Sequence, residues 1–120
     1  MSLAQELIRC RPWIEAALDY SRTHDFGNIV QGCFSGEFQL WPAPNACLVT
    51  QISVFPQRKL MHLFLAGGDM DEVLQLVDAA TEMGRAEGCD AVTMTGRMGW
   101  QRVLNKRGFT SSFVTMERKL

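Results

Sequence analysis

The sequence predicts a single α/β domain over residues 1–120, with a mostly antiparallel, twisted sheet, a central parallel strand pair and flanking helices. Three observations carry this. First, an apolar run from Leu60 to Ala66 is followed by Gly67-Gly68, a long amphipathic segment from Met70 to Glu87, then Gly88 and a second apolar run starting at Ala91. That is strand, turn, helix, turn, strand, and a helical crossover of this length joins parallel neighbours with a right-handed connection. Second, two strand-like stretches lie upstream, separated by Pro42-Ala43-Pro44-Asn45 and linked to the Leu60 run by Pro56-Gln57-Arg58. Connections this short pair antiparallel neighbours. Third, 120 residues with 47% hydrophobic content suffice for one core.

The elements follow in order. Leu3 to Arg9 suits a helical turn or two; alternatively Leu3 to Ile8 belongs to a strand, leaving a shorter helix. Pro12 interrupts this pattern and suits the first turn of a helix. Trp13, Ile14, Ala17, Leu18 and Ser21 then trace one helical face that ends near His24 to Gly27. Phe26 to Gly36 is Gly- and polar-rich and reads as a loop or weak helical turn. Glu37 to Trp41 alternates as a half-exposed strand. Ala46 to Phe55 is apolar on both faces, as in mid-sheet. The Leu60 strand is apolar except for His62. Asp69-x-x-Glu72 resembles a capping box at the head of the long helix. Gly84 inside that helix costs about 1 kcal/mol relative to Ala, which suggests close packing on the sheet. Ala91 to Thr95 is the second parallel strand. Met98 to Lys106 is a short helix stopped by Gly108. Phe109 to Lys119 alternates again and is predicted as the last strand.

Composition narrows the function. A net charge of −1 and a pI near 6.1 give no global attraction to nucleic acid or anionic membrane. No apolar run approaches membrane-spanning length and no signal-peptide pattern opens the chain, so a cytoplasmic location is expected. The cysteines (Cys10, Cys33, Cys47, Cys89) form no Cys-x-x-Cys pair, which argues against structural zinc and a disulfide framework.

Candidate chemistry is sparse. His62, mid-strand, suits a general base near neutral pH; the alternative is a hydrogen-bonded core histidine. Glu37 suits holding or activating an amine; the alternative is a solvated strand face. Tyr20, the only tyrosine, and His24 read as packing and helix-end residues. Arg97, Arg102, Lys106 and Arg107 form a run of bases without acids, suited to a phosphate or acidic partner, or simply to a solvated helix face. Trp41 and Trp100 suit either interface anchors or core packing.

The stretch Gly96-Arg97-Met98-Gly99-Trp100-Gln101-Arg102-Val103-Leu104-Asn105-Lys106-Arg107-Gly108-Phe109 resembles the late motif of GNAT-type N-acetyltransferases. There a short helix ends in Gly-Phe before the last strands. The Lys59–Asp90 unit resembles that family's cofactor-binding core, so the likeness covers roughly the last two thirds of the chain. It implies a GNAT-like fold and acetyl-CoA as cofactor, with its diphosphate at the head of the long helix, where free N–H groups and the positive dipole end hold anions. Leu65, Gly67 and Gly68 would form that turn, and Arg97 and Arg102 would meet phosphate charge. The sequence departs from the family pattern where Leu63 or Phe64 occupies the usual Arg/Gln position, where Leu104 replaces the acid tyrosine, and where Arg97 replaces a frequent asparagine.

Two functions follow. One is an acyl-CoA N-acyltransferase acting on an unidentified small-molecule or protein amine, with His62 or Glu37 as base. The other is a non-catalytic relative, a binding or assembly module suited to a phage or mobile element, with a second copy (homodimer) or an assembly partner as the expected partner.

Overall fold

The computed structural model describes residues 1–120. The elements are α1 (Leu3–Ser21), α2 (Phe26–Ser35), β1 (Phe38–Ala43), β2 (Ala46–Val54), β3 (Lys59–Gly68), α3 (Met70–Ala86), β4 (Ala91–Met94) and α4 (Gly99–Asn105). The sheet order is β1-β2-β3-β4, antiparallel across the first two pairings and parallel between β3 and β4. This is the predicted mixed sheet. Helices α1 and α2 cover one face and α3 the other, giving a core on each side.

Three local expectations are corrected. Helix α1 runs unbroken through Pro12, because Ser2 and Gln5 close a capping box at its start and Leu7, Cys10, Ile14 and Leu18 bury one stripe. The missing Pro12 N–H leaves the Ile8 carbonyl on a residue that is 70% exposed, where water can satisfy it. Residues 26–35 form a helix rather than a loop. Asp25 and Asn28 make a second capping box, and Phe26, Ile29, Val30 and Cys33 supply helical spacing toward the core. Finally, residues 109–120 form no strand, so the parallel pair that was expected at the centre has β4 at the sheet edge.

The Gly67-Gly68 pair ends a strand instead of forming a turn. Gly67 lies opposite Cys47 and Gly68 opposite Ala46 in the ladder. A Cβ on Gly67 would sit 2.8 Å from the Trp13 Cβ, so α1 packs directly on this point of the strand. Gly68 has φ +101°, and its Cβ would come within 2.2 Å of the Asn45 carbonyl oxygen. Only Asp69 separates strand from helix. Gly84 shows the predicted close packing, since a Cβ there would lie 3.2 Å from the Met61 Cβ.

The register contains one irregularity. Val49 pairs with Leu65 but the next residue, Thr50, pairs with Leu63. Phe64 is therefore an extra residue in β3, a β-bulge. Its effect is visible in the packing: Leu63 joins the α3-side core, whereas Leu65, two residues on, joins the α1-side core.

Two substitutions test this account by urea denaturation. Gly68→Ala should destabilise by at least about 2 kcal/mol, from positive φ plus the backbone clash. Pro12→Ala should raise stability by about 1 kcal/mol or more, because it restores an interior helix hydrogen bond.

Candidate functional site

The parallel ladder ends next to the bulge. Strands β3 and β4 pair over four residues only, from Leu60↔Ala91 to Leu63↔Met94. Beyond this, β3 continues from Phe64 to Gly68 with no partner on that side, and β4 gives way to Thr95-Gly96-Arg97. The strands part here, and alternate peptide groups of β3 face the opening. Such an opening at the carboxyl end of parallel strands is the usual ligand position in sheets of this kind.

Helix α1 spans the opening on one face. Arg9 donates to the carbonyls of Ala43 and Pro44 at the end of β1, Trp13 packs on Gly67 in β3, and Arg97 beyond β4 stacks on Tyr20. The Arg97 guanidinium carbon lies 4.4 Å from the Tyr20 ring centre, and its Nη1 donates to the Tyr20 hydroxyl at 3.3 Å. Helix α3 begins at the other end of the opening, directly after β3.

His62 and Glu37 fall on one polar row. In the ladder Gln51 faces His62 and His62 faces Thr93. His62 Nδ1 shares a hydrogen bond with Thr93 Oγ1 at 2.9 Å, and Gln51 Nε2 donates to Glu37 Oε1 at 3.3 Å. The two hydrogen-bonded pairs lie in neighbouring register positions just below the bulge, Gln51 being the ladder partner of His62 and Glu37 preceding β1. Burial lowers the His62 pKa from its ordinary value, so the imidazole is neutral at physiological pH and able to take a proton. Glu37 is exposed.

At the head of α3 the protein caps itself. Asp69 Oδ2 accepts from the Glu72 N–H at 3.1 Å, and Glu72 Oε1 accepts from the Asn45 N–H at 3.0 Å. The Asp69 N–H is also taken, by the Asn45 carbonyl at 2.8 Å. Met70 and Asp71 are the first-turn residues whose N–H groups precede the helical ladder. Three carboxylates (Asp69, Asp71, Glu72) crowd this end.

The remaining predicted site residues are scattered. The Leu65 side chain is buried in the α1-side core. Arg97 is engaged by Tyr20, while Arg102 is exposed on α4. Within the basic run, Arg107 pairs with Asp78 of α3 at 3.2 Å. Leu104 is buried, where its apolar side chain fills the core and can deliver no proton. Burial pushes the Cys33 thiol up to about 11 and the Cys47 thiol higher still, and Cys10 is raised by the same cause. These three are protonated packing residues, not nucleophiles.

Sequence reasoning missed two contributors. The bulge at Phe64 has no residue-type signature in a uniformly apolar strand. Tyr20 meets Arg97 across 77 positions of sequence, a contact that only the path of α1 reveals.

No protein-family model matches the chain, and no curated protein does. Solved structures do. The fold matches a GCN5-related N-acetyltransferase from Ralstonia eutropha JMP134 with a TM-score of 0.75 at 12% identity, over 96% of this chain and 93% of that one. A probable acetyltransferase matches at 0.73 and 12% identity, over 100% and 93% of the two chains. An acetyltransferase of Trypanosoma brucei matches at 0.71 and 15% identity, over 97% and 94%. The chain therefore has the GNAT-like acetyltransferase fold, at identities that establish the fold alone.

The half-buried His62 has a measurable linkage. The unfolded chain takes up the proton first, near the ordinary pKa of about 6.5. Stability is thus full above that pH and is lost as pH falls toward the lower folded pKa. Urea denaturation of the wild type and His62→Gln at pH 7.5 and 5.5 should show the wild type losing more stability on acidification than the variant.

Proposed function

We propose that the protein is an acyl-CoA-dependent N-acyltransferase that binds its thioester in the opening between β3 and the segment after β4. The single observation carrying this reading is the bulge at Phe64, which frees the β3 backbone where the strands part. The freed peptide groups would hold the acyl carbonyl, and acetyl-CoA would supply the activated acyl carbon. His62, neutral and on the adjoining polar row, would take the proton of the attacking amine, with Glu37 at the row's exposed end holding the amine or a water. Gly67 and Gly68 end β3 packed against Trp13 and Asn45, so their contribution to a diphosphate would be indirect. Arg97 and Arg102 are the nearest bases in sequence to the far wall of the opening. A cytoplasmic setting belongs to this proposal, in keeping with four free cysteines. The acceptor is a small-molecule or protein amine.

The residues fit the two ends of the cofactor unequally. The thioester end meets bare strand backbone, whereas the diphosphate end meets Asp69, Asp71 and Glu72. That self-capping favours a second reading, a binding or assembly module of phage or mobile-element type that retains the fold without CoA chemistry.

Calorimetry separates the two. Acetyl-CoA and CoA titrated into the protein should give saturable heat, and neither heat nor thermal shift at millimolar ligand would end the enzyme reading. In a thiol-release assay over a panel of primary amines, His62→Asn should lower turnover by about 100-fold while leaving the binding heat in place.

A further inference from the structure

Helix α1 sets two aromatic side chains against opposite walls of the opening. Trp13 and Tyr20 lie about two helical turns apart, so they share one face of α1 with about 10 Å between them along its axis. Trp13 rests on Gly67 of β3, where a Cβ would come within 2.8 Å of the Trp13 Cβ. Tyr20 stacks on the Arg97 guanidinium beyond β4. Between these two ends Ile14 and Leu18 are buried in the α1-side core, which makes the helix a rigid brace rather than a mobile cover.

The wall on the Arg97 side has little else to hold it. Thr95, Gly96, Arg97 and Met98 belong to neither β4 nor α4. None of their N–H groups donates to a backbone carbonyl, and the Arg97 and Met98 carbonyls accept only from Trp100 and Gln101 just ahead. On one side α4 is fastened to the α3 face, by Trp100 in that core and by Arg107 on Asp78. On the other side the only hydrogen bond from this segment to the body of the fold is Arg97 Nη1 to the Tyr20 hydroxyl at 3.3 Å. The guanidinium carbon lies 4.4 Å from the ring centre, so stacking and hydrogen bond act in one contact, which suits the flat arginine head.

We propose that Tyr20 is a positioning residue: by holding Arg97 it fixes the wall of the opening that faces β3, and with it the space offered to a ligand. It touches no reacting group and acts through Arg97. The consequence for ligand binding rests on the acyltransferase reading; the bracing of the wall does not. A wall released from Tyr20 is in the binding-competent position for only part of the time, and apparent affinity falls by that fraction. Once the ligand is bound the wall is in place again, so the loss falls on KM and spares kcat.

The test reads the wall and the ligand separately, on the full chain. Trypsin cuts after an arginine whose side chain is free to enter the protease, so nicking after Arg97 reports release of the wall in the unliganded protein. Tyr20→Ala should be nicked there about tenfold faster than the wild type, with Tyr20→Phe, which keeps the ring face, in between. Cleavage after Arg58, in the β2–β3 turn, should stay unchanged. With acetyl-CoA, Tyr20→Ala should raise the calorimetric Kd and the KM by about tenfold and keep kcat within about threefold, and Tyr20→Phe should recover most of the loss. Equal nicking after Arg97 in the wild type and Tyr20→Ala, or equal acceleration after Arg58, overturns the proposal whether or not the protein binds CoA. Faster nicking after Arg97 alone, with no acetyl-CoA heat in the wild type, upholds the brace and ends the acyltransferase reading. A fall in kcat at unchanged KM overturns the positioning role.

Discussion

The architecture depends on one unmatched residue. Strand β3 carries Phe64 where β2 has nothing opposite, and because side chains alternate with a period of two, one extra residue exchanges the faces for everything beyond it. Below the bulge Leu63 packs with Val73 and Val77, and above it Leu65 packs with Leu7 and Ile14. Phe64 and Leu65 thus both turn to the α1 side. Phe64 stacks on Phe38 at 5.5 Å there, with His24 edge-on to both rings. The bend and added twist at this point coincide with the last residue pair that β4 makes. The switch in core packing and the end of the parallel ladder fall at the same point of β3.

Around that opening the chain invests its polar contacts in holding β-strands and helices in register. On the α3 face Thr50 is fully buried, accepts from Trp41 Nε1 at 3.0 Å and donates to Gln39 Oε1 at 2.8 Å, so both capacities of its hydroxyl are met. On the opposite face the second row, the Glu37–Gln51 and His62–Thr93 pairs, lies beneath the bulge. Only the second row contains a titratable group with a displaced pKa. The first row fixes the sheet, and the second fixes it while leaving a neutral imidazole beside bare strand backbone.

How much was legible in sequence follows from which forces act locally. The parallel pair, the α3 crossover and the Gly84 packing point rest on contiguous patterns, and they read correctly. Residues 26–36 read as a loop or weak helical turn because Gly32 and Gly36 outweigh the Phe26, Ile29, Val30, Cys33 spacing, although Asp25 and Asn28 form the same kind of cap as Ser2 and Gln5. The unbroken α1 was missed because Pro12 was weighed without its surroundings, where an exposed Ile8 removes much of the cost. The tail was read as a strand from alternation alone, yet a strand needs a partner, and its own chain provides none. The bulge was out of reach, since every residue from Leu63 to Ala66 is apolar and nothing marks which one is extra. His62 and Glu37 were named as separate candidates, while their partners Thr93 and Gln51 emerge only from register.

The remaining tension lies at the head of α3, and magnitudes bear on it. A helix N-terminus contributes about 0.3–1 kcal/mol to holding a negative charge at an exposed position. A carboxylate about 4 Å from a phosphate in water opposes it by about 1 kcal/mol. Asp69, Asp71 and Glu72 can therefore cancel the attraction of the dipole, and Asp69 already occupies the Glu72 N–H. The first-turn N–H groups of Met70 and Asp71 remain as donors, but a diphosphate placed on them would sit among three like charges. Under the proposed function, recognition would then have to come from the opposite end, where a thioester would meet uncharged strand backbone. The binding energy would be weighted toward the acyl group and the pantetheine-like chain running along β3, and away from the phosphates.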